Sequence, residues 1–243
     1  MPLAGTAFLA LWNDFDPARD DEYDTWHTFE HVPERVGIDG VVSGRRYVAR
    51  ERMQRRWFTL YELDSLATLD GASYNDVVAH PTEWTLSMRP SFANFVRRPC
   101  ATIASLGQGH GAAIATERIV LPQAADADAW RGVLQSFIAE AVLVAAHVGR
   151  VDVSARFPLG NAAEGAVEGV PYVLLLEAGR RESLDDAAHA VLAALRGKFG
   201  AEAAIDGEAY DLAFTVLKSD LDDASLMRQP PRPALRARWP REA

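Results

Sequence analysis

The order of strand-like and helix-like segments limits the fold more than any other feature of this sequence. Short apolar runs typical of buried strands occur at about 6–13, 41–53, 56–63 and 100–106. Helical patterns lie between them at about 18–32 and 64–95, and prolines at 81 and 90 interrupt the second one. The order is therefore β-α-β-β-α-β, which is the ferredoxin-like unit.

The same order follows the glycine-rich stretch 107–111. The segments are a strand at 112–121, a helix at 126–147, strands at 149–157 and 171–178, a helix at 183–196 and a strand at 210–217. An offset of 104 residues aligns Trp26 with Trp130. We therefore predict an α+β protein with tandem ferredoxin-like βαββαβ repeats that form an intrachain pseudo-dimeric α/β barrel. The predicted units are repeat 1–106, linker 107–111, repeat 112–218 and tail 219–243.

The predicted repeats also suggest a place for a ligand. An antiparallel sheet with both helices on one face leaves its other face bare, and two such sheets can cover each other. A barrel of about eight strands can hold one small ligand. We therefore expect a cavity between the two sheets, shaped by Trp12, Trp26 and Tyr47.

Composition excludes several classes of protein. The 243 residues carry a net charge of −9, which argues against nucleic-acid binding. The longest apolar runs fall short of the ~18–20 residues of a membrane helix, and the start of the chain lacks the basic region of a signal peptide. The single cysteine, Cys100, gives no sign of an oxidising compartment. We therefore expect a cytoplasmic protein that has no membrane or nucleic-acid partner.

A cluster at 26–35 holds the residues best suited to chemistry. His27 and His31 are four residues apart, which places both rings on one face of a helix. Glu30 lies between them, and Asp14 follows the first strand. Imidazoles at this spacing could transfer protons near pH 7 or bind a metal, although a solvated helix surface with paired polar groups is the alternative.

The segment His27–His31 also fits the H-x-x-E-H pattern of inverzincin peptidases. We reject that interpretation because Pro33 should end the helix and no distant third ligand can be named. Simple metal binding by His27 and His31 stays an alternative, with Asp14 as the nearest candidate for a third ligand. Because the sequence identifies no third ligand, we predict no metal. The second repeat has Arg131 and Gln135 in place of the two histidines, which is expected if only one half keeps a site.

The motif resembles a known group of proteins. Its residues are Trp26-His27, the run from Glu30 to Arg35, then Gly37-Ile38-Asp39-Gly40-Val41 and Gly44-Arg45-Arg46-Tyr47. They resemble the dimeric α/β-barrel superfamily, and within it the EthD-like proteins. The resemblance implies a ferredoxin-like fold, a barrel made by two sheets, and His27 or His31 at the barrel mouth. The superfamily contains small-molecule monooxygenases, cyclases, isomerases and haem enzymes, but we find no motif for a haem ligand.

These observations lead to one functional hypothesis with an alternative. We predict a barrel that binds a small apolar or aromatic molecule. If it is an enzyme, it is cofactor-free, its catalytic residues are His27, His31 and Glu30, a histidine acts as general acid or base, and Glu30 or Asp14 orients the imidazole. Its predicted ligand-binding residues are Trp12, Asp14, Trp26, Tyr47 and His80, although His80 could instead form a turn with Pro81. The alternative is a non-catalytic ligand-binding or accessory protein.

The arginine- and proline-rich tail has two interpretations. It is either a disordered terminus or an extended arm that joins a homodimer, with Leu235 and Trp239 as anchors.

Overall fold

The computed structural model describes residues 3–51, 54–154, 168–200, 206–223, 225 and 228–239. The strands are β1 Ala7–Phe15, β2 Val41–Val48, β3 Trp57–Leu63, β4 Phe92–Gly107, β5 Ala113–Leu121, β6 Ala145–Val151, β7 Val170–Ala178 and β8 Asp206–Leu217. The helices are α1 Asp20–Trp26, α2 Val32–Gly37, α3 Ala72–Ala79, α4 Glu83–Met88, α5 Ala127–Ala139, α6 Arg181–Phe199 and α7 Pro233–Arg236. A π-helical segment, His27–His31, joins α1 to α2.

The eight strands close into one barrel in the order β1-β3-β2-β8-β5-β7-β6-β4, and β4 pairs with β1. Every neighbouring pair is antiparallel. Strands β1–β4 therefore lie side by side, as do β5–β8, and the two groups meet at the β2–β8 and β4–β6 pairs. This is a mixed α/β fold built around a closed antiparallel barrel.

The barrel interior is filled with side chains. Alternate residues of β1 point inward and pack with residues of β2, β3, β5, β7 and β8. The side chains of this interior cluster include Phe8, Trp12, Tyr47, Phe58, Val173 and Tyr210. Trp12 Nε1 donates a hydrogen bond to Thr116 Oγ1 across the barrel at 3.0 Å. The expected cavity between the two sheets is therefore wrong, because aromatic side chains from both sheets occupy that space.

A buried polar network closes one end of the interior. The Arg45 guanidinium lies 3.2 Å from Glu62 and 2.8 Å from Glu177, and His147 Nε2 lies 3.1 Å from the same Glu177 Oε1. His147 was expected at the end of a helix over 126–147. Helix α5 instead ends at Ala139, and His147 belongs to β6.

The helices cover the outer face of the barrel. Helices α5 and α6 pack on β4–β8, whereas α2 packs on β2. Among the described residues, no helix is long and apolar enough to cross a membrane. The fold therefore has two layers outside the filled interior, strands and then helices, and the cavity described below lies between them.

Candidate functional site

Helix α1, the π-helical segment and α2 form one continuous helix from Asp20 to Gly37. Within it, the Val32 N–H donates to the carbonyl of His27, five residues earlier. Pro33 has no N–H to donate, and its ring would crowd the carbonyl of Phe29 in a regular α-helix. The wider π turn directly before the proline relieves this crowding. The prediction that Pro33 ends the helix is therefore wrong; the helix ends at Gly37, and the next residue, Ile38, has an extended backbone.

The π-helical segment changes which side chains face the barrel. Tyr23, Trp26 and Val32 are buried, but Phe29 is 55% exposed. One extra residue in the turn rotates Phe29 out to solvent. The same rotation turns His27 inward, so that it is only 5% exposed.

A cavity of about 300 Å³ lies between this helix and the outer face of strands β1–β4. This volume is at the lower end of the range for small-molecule sites. Alternate residues of β1 and β3 form its floor, namely Leu9, Leu11, Asn13, Thr59, Tyr61 and Leu63. The opposite wall, formed by the helix, includes Trp26, His27, His31 and Arg35. Two aromatic residues of β4, Phe92 and Phe95, also line the cavity.

The two histidines lie side by side on the cavity wall, which confirms that their spacing places them on one face. Their ring centroids are 5.2 Å apart and their planes differ by 21°. His27 also stacks on Tyr23 at 5.0 Å, and His31 lies 4.4 Å from the ring of Trp26. Packing on both sides therefore fixes the orientation of each imidazole.

Several buried polar atoms of the lining residues have no hydrogen-bond partner among the described residues. They are Nδ1 of His27, Nδ1 of His31, Nε1 of Trp26, Nη1 of Arg35 and Oη of Tyr61. Buried polar groups in folded proteins are nearly always hydrogen-bonded. A polar ligand or bound water in the cavity would provide the partners for these atoms.

Burial keeps both imidazoles neutral. It lowers the pKa of His27 well below its ordinary value, and the positive charges of Arg46, His31 and Arg35 lower that pKa further. Burial also lowers the pKa of His31, together with the charges of Arg35, Arg89 and Arg46. At neutral pH each ring therefore has one nitrogen that can accept a proton.

Of the eight site residues predicted from the sequence, Trp26, His27 and His31 line the cavity. Trp12 and Tyr47 belong to the filled barrel interior. Glu30 is buried but faces the other way, where it accepts hydrogen bonds from Thr82 Oγ1 and the backbone N–H of Arg232, each at 2.6 Å.

Two further predicted residues lie apart from the cavity. Asp14 accepts hydrogen bonds from the Arg56 N–H at 2.8 Å and from Asn94 Nδ2 at 2.7 Å. His80 is exposed and lies 3.0 Å from Asp76. Asp14 therefore connects β1 to the residue before β3 and to β4, whereas His80 pairs with Asp76 at the end of α3.

Sequence reasoning missed a basic group among the lining residues. Arg35, Arg89 and Arg97 all line the cavity, and Tyr74 lies beside Arg97. Arg35 stands within the quoted motif, but its position gave no sign of burial. Arg97 alternates with Phe95 along β4, and this period of two was the one available signal that the two share a face.

The described residues contain no group of three or more histidine, cysteine, aspartate or glutamate side chains that could hold a metal ion. The arrangement is a mostly apolar cavity whose polar groups include two neutral imidazoles, two phenols, an indole and three guanidinium groups. Such a cavity can bind a flat apolar molecule and exchange a proton with it.

No family model matches the sequence, and no curated protein matches it. The solved structures that resemble the fold include the following three. An anthrone oxidase-like protein superposes with a TM-score of 0.57 at 13% identity, over 87% of this chain and 92% of that one. A putative monooxygenase from Lactobacillus acidophilus NCFM has a TM-score of 0.52 at 7% identity and covers 87% of this chain and 96% of its own. A putative monooxygenase from Fusobacterium nucleatum subsp. nucleatum has a TM-score of 0.53 at 8% identity and covers 89% of this chain and 96% of its own.

These likenesses agree with the predicted α/β-barrel fold, and the dimeric α/β-barrel superfamily stays a prediction. At such low identities they show the fold alone, and the EthD-like subgroup stays a prediction.

Proposed function

We propose that this protein binds a small, mostly apolar or aromatic molecule in the cavity between α1–α2 and strands β1–β4, and that His27 or His31 exchanges a proton with it. The observation that carries this proposal is the pair of neutral imidazoles on the cavity wall, each with a buried Nδ1 that has no partner among the described residues. The names of the three similar structures, an oxidase-like protein and two monooxygenases, agree with chemistry on a small organic molecule.

The proposed step is removal of an acidic proton from carbon or oxygen by a neutral imidazole. A positioned general base contributes typically 10²–10⁴-fold to a rate. Tyr61 and Trp26, whose polar atoms lack protein partners, would donate hydrogen bonds to the oxygen that gains charge. Monooxygenase, cyclase and isomerase reactions of the cofactor-free type can all begin with this proton transfer, and the step needs no cofactor.

We propose further that the chain is a fused pair of ferredoxin-like units, with the unit boundaries given above. Two observations support this duplication. The strand order β4-β1-β3-β2 has the counterpart β8-β5-β7-β6, and Trp26 and Trp130, at the offset of 104, are both fully buried on the first helix of their unit. Arg131, which takes the place of His27, is exposed on α5. Only the first unit then carries the site.

The acidic chain and its single cysteine favour a cytoplasmic protein whose partner is a small molecule. A homodimer through the tail stays a prediction, and the tail is discussed below.

The proposal predicts the behaviour of anthrone, which we choose as a probe because it is flat, apolar and carries an acidic CH₂ group. Under anaerobic conditions the protein should accelerate deuterium exchange at that CH₂, measured by NMR. His27→Ala and His31→Ala should each lower the rate at least 10²-fold while the Tm stays nearly unchanged, because neither Nδ1 atom loses a protein hydrogen bond. His27→Phe keeps the ring volume and should lose exchange as well.

His189→Ala, on the exposed side of α6, is the matched control and should exchange at the rate of the unmodified protein. Anthrone binding without faster exchange would support the non-catalytic alternative. Full exchange activity in both cavity-histidine variants would overturn the proposed role of the imidazoles.

A further inference from the structure

The cavity has a strongly basic end. Arg35 on α2, Arg89 directly after α4 and Arg97 on β4 all line it, and none of its lining residues that the structure describes is acidic. The remaining walls are mostly leucine, isoleucine, valine and aromatic side chains. A buried charge is costly unless a group of opposite charge accompanies it. The basic end therefore lacks a counter-charge inside the cavity itself.

The protein partners of these arginines only partly balance them. Arg35 Nη1 has no hydrogen-bond partner among the described residues. It lies 3.7 Å from Glu34 Oε2, and Arg228 also binds that carboxylate at 3.1 Å. Arg89 donates one long hydrogen bond, 3.4 Å, to the carbonyl of Val78. Arg97 Nη2 donates to Tyr74 Oη at 3.3 Å, so the proposal below uses only Arg35 and Arg89.

The positive charges that line the cavity also repel one another. Burial lowers the pKa of Arg89, and the nearby charge of Arg35 lowers it further. The same two charges help to lower the pKa of His31. An anion placed among these groups would offset the cost of burying the Arg89 charge, the repulsion between Arg35 and Arg89, and the repulsion of both from a protonated His31.

We propose that the molecule bound in this cavity is an aryl oxyanion, that is, a flat apolar ring system with a carboxylate or an ionised phenol or enol. Arg35 and Arg89 bind the charged oxygen, and the rings lie against Phe92 and Phe95. Planar guanidinium groups suit this role because they bind a carboxylate through two parallel hydrogen bonds. This inference rests on the proposed function, since it names the ligand class of the same cavity.

The two groups of polar residues then have distinct roles. The neutral histidines accept the proton, and the arginines stabilise the anion that remains. Because imidazolium is disfavoured beside Arg35 and Arg89, an ionised product bound at the basic end would also help to keep the transferred proton on the histidine.

Matched probes test the inference by isothermal titration calorimetry. At pH 7.5, 2-naphthoate should bind at least tenfold more tightly than its neutral analogue 2-naphthamide, and the advantage should shrink as salt is added. Arg35→Gln and Arg89→Gln should each lower naphthoate affinity at least tenfold and leave naphthamide affinity within about twofold. Arg35→Lys, which keeps the charge without the planar fork, should fall between the two. Arg131→Gln, on the exposed face of α5, is the control and should bind both probes as the unmodified protein does.

A third probe separates the two oxyanion classes. Bound 2-naphthol should show the absorbance of its anion at least one pH unit below its ionisation in free solution if the site accepts phenolates. Naphthoate binding without this shift assigns the site to carboxylates, and either result supports an oxyanion site.

Equal or tighter binding of naphthamide would overturn the inference while leaving a small-molecule cavity in place. The proposed function fails in a different way, through unchanged exchange in the histidine variants.

Discussion

Gly149 on β6 shows how tightly the barrel interior is packed. A Cβ atom at this position would lie 2.4 Å from Phe8 Cζ and 2.5 Å from Cys100 Cβ, far inside contact distance. Phe8 and Cys100 belong to β1 and β4, so the glycine lets three strands come together. Gly132 on α5 differs, because a Cβ atom there would meet nothing within 4 Å.

These two glycines give a paired prediction on stability. Gly149→Ala should lower the free energy of unfolding by about 1–3 kcal/mol, because overpacking forces neighbouring side chains out of place. Gly132→Ala should raise it by about 0.5–1 kcal/mol, since alanine favours a helix interior. Urea unfolding measures both, and a stabilising Gly149→Ala would show that the interior has spare room.

The cavity histidines should make stability depend on pH. Their folded-state pKa values lie well below the ordinary 6.5, so the unfolded chain binds more protons once the pH falls below that value. The contribution of the neutral rings is complete above pH 6.5 and is lost as the pH decreases from there towards the folded-state pKa. The groups that oppose protonation are Arg35, Arg46 and Arg89.

We therefore expect the free energy of unfolding to decrease by up to about 1.4 kcal/mol per pH unit for each such histidine between pH 6.5 and 5. The double variant His27→Gln/His31→Gln should show a smaller slope in urea titrations at several pH values. Some slope should remain, because burial also lowers the pKa of His147. An unchanged slope in the double variant would contradict the burial of neutral imidazoles.

Sequence reasoning found the histidines and missed the arginines for a physical reason. Two histidines four residues apart share a helix face whatever the fold, so their pairing depends on local geometry alone. Arg89 and Arg97 reach the cavity only because a short helix and a distant strand are folded against α2. Their contribution is tertiary and leaves no local pattern.

The tail is the element whose placement differs most from expectation. Helix α7 occupies part of the predicted extended arm. The segment 228–239 lies on the chain's own helices: the backbone N–H of Arg232 binds Glu30, and the ring of Trp239 lies 5.8 Å from that of Trp84. Leu235 and Trp239 pack against the aromatic cluster that contains Trp26. The tail thus supports the helix that carries the cavity histidines.

Removal of the tail tests this support. Truncation after residue 227 should cost about 2 kcal/mol of stability for the lost apolar contacts, which corresponds to a Tm lower by roughly 4–8 °C. Truncation after Trp239 is the control and should leave the Tm unchanged. An unchanged Tm together with a halved mass in solution after the longer truncation would show instead that the tail joins two subunits.

The start of helix α5 was predictable because a capping residue marks it, but its end was not. Asp126 caps α5 with a hydrogen bond to the Ala129 N–H, in agreement with its predicted start. The end of α5 was placed too late, because the apolar run that follows it suits a buried strand as well as a helix. Period alone cannot separate these two structures in a run that short.

At the scale of the whole molecule, the order of elements and the barrel followed from the sequence, but the position of the cavity did not. Strand β1 carries apolar residues on both faces: Phe8 and Trp12 point into the barrel, whereas Leu9 and Leu11 point towards the helices. With both faces buried, alternation cannot tell which one is filled and which one leaves space. Side-chain volumes decide this, and aromatic residues from both sheets fill the inside.

The hydrogen-bonded ring of strands also limits how the molecule can meet other copies of itself. An open sheet offers unpaired backbone groups that another chain can extend, and a ring closed at the β4–β1 pair offers none along its eight described strands. Two separate units of this kind would have to meet in solution to cover their bare faces. In the fused pair that we propose, this encounter is intramolecular, so the two halves would stay matched at any dilution.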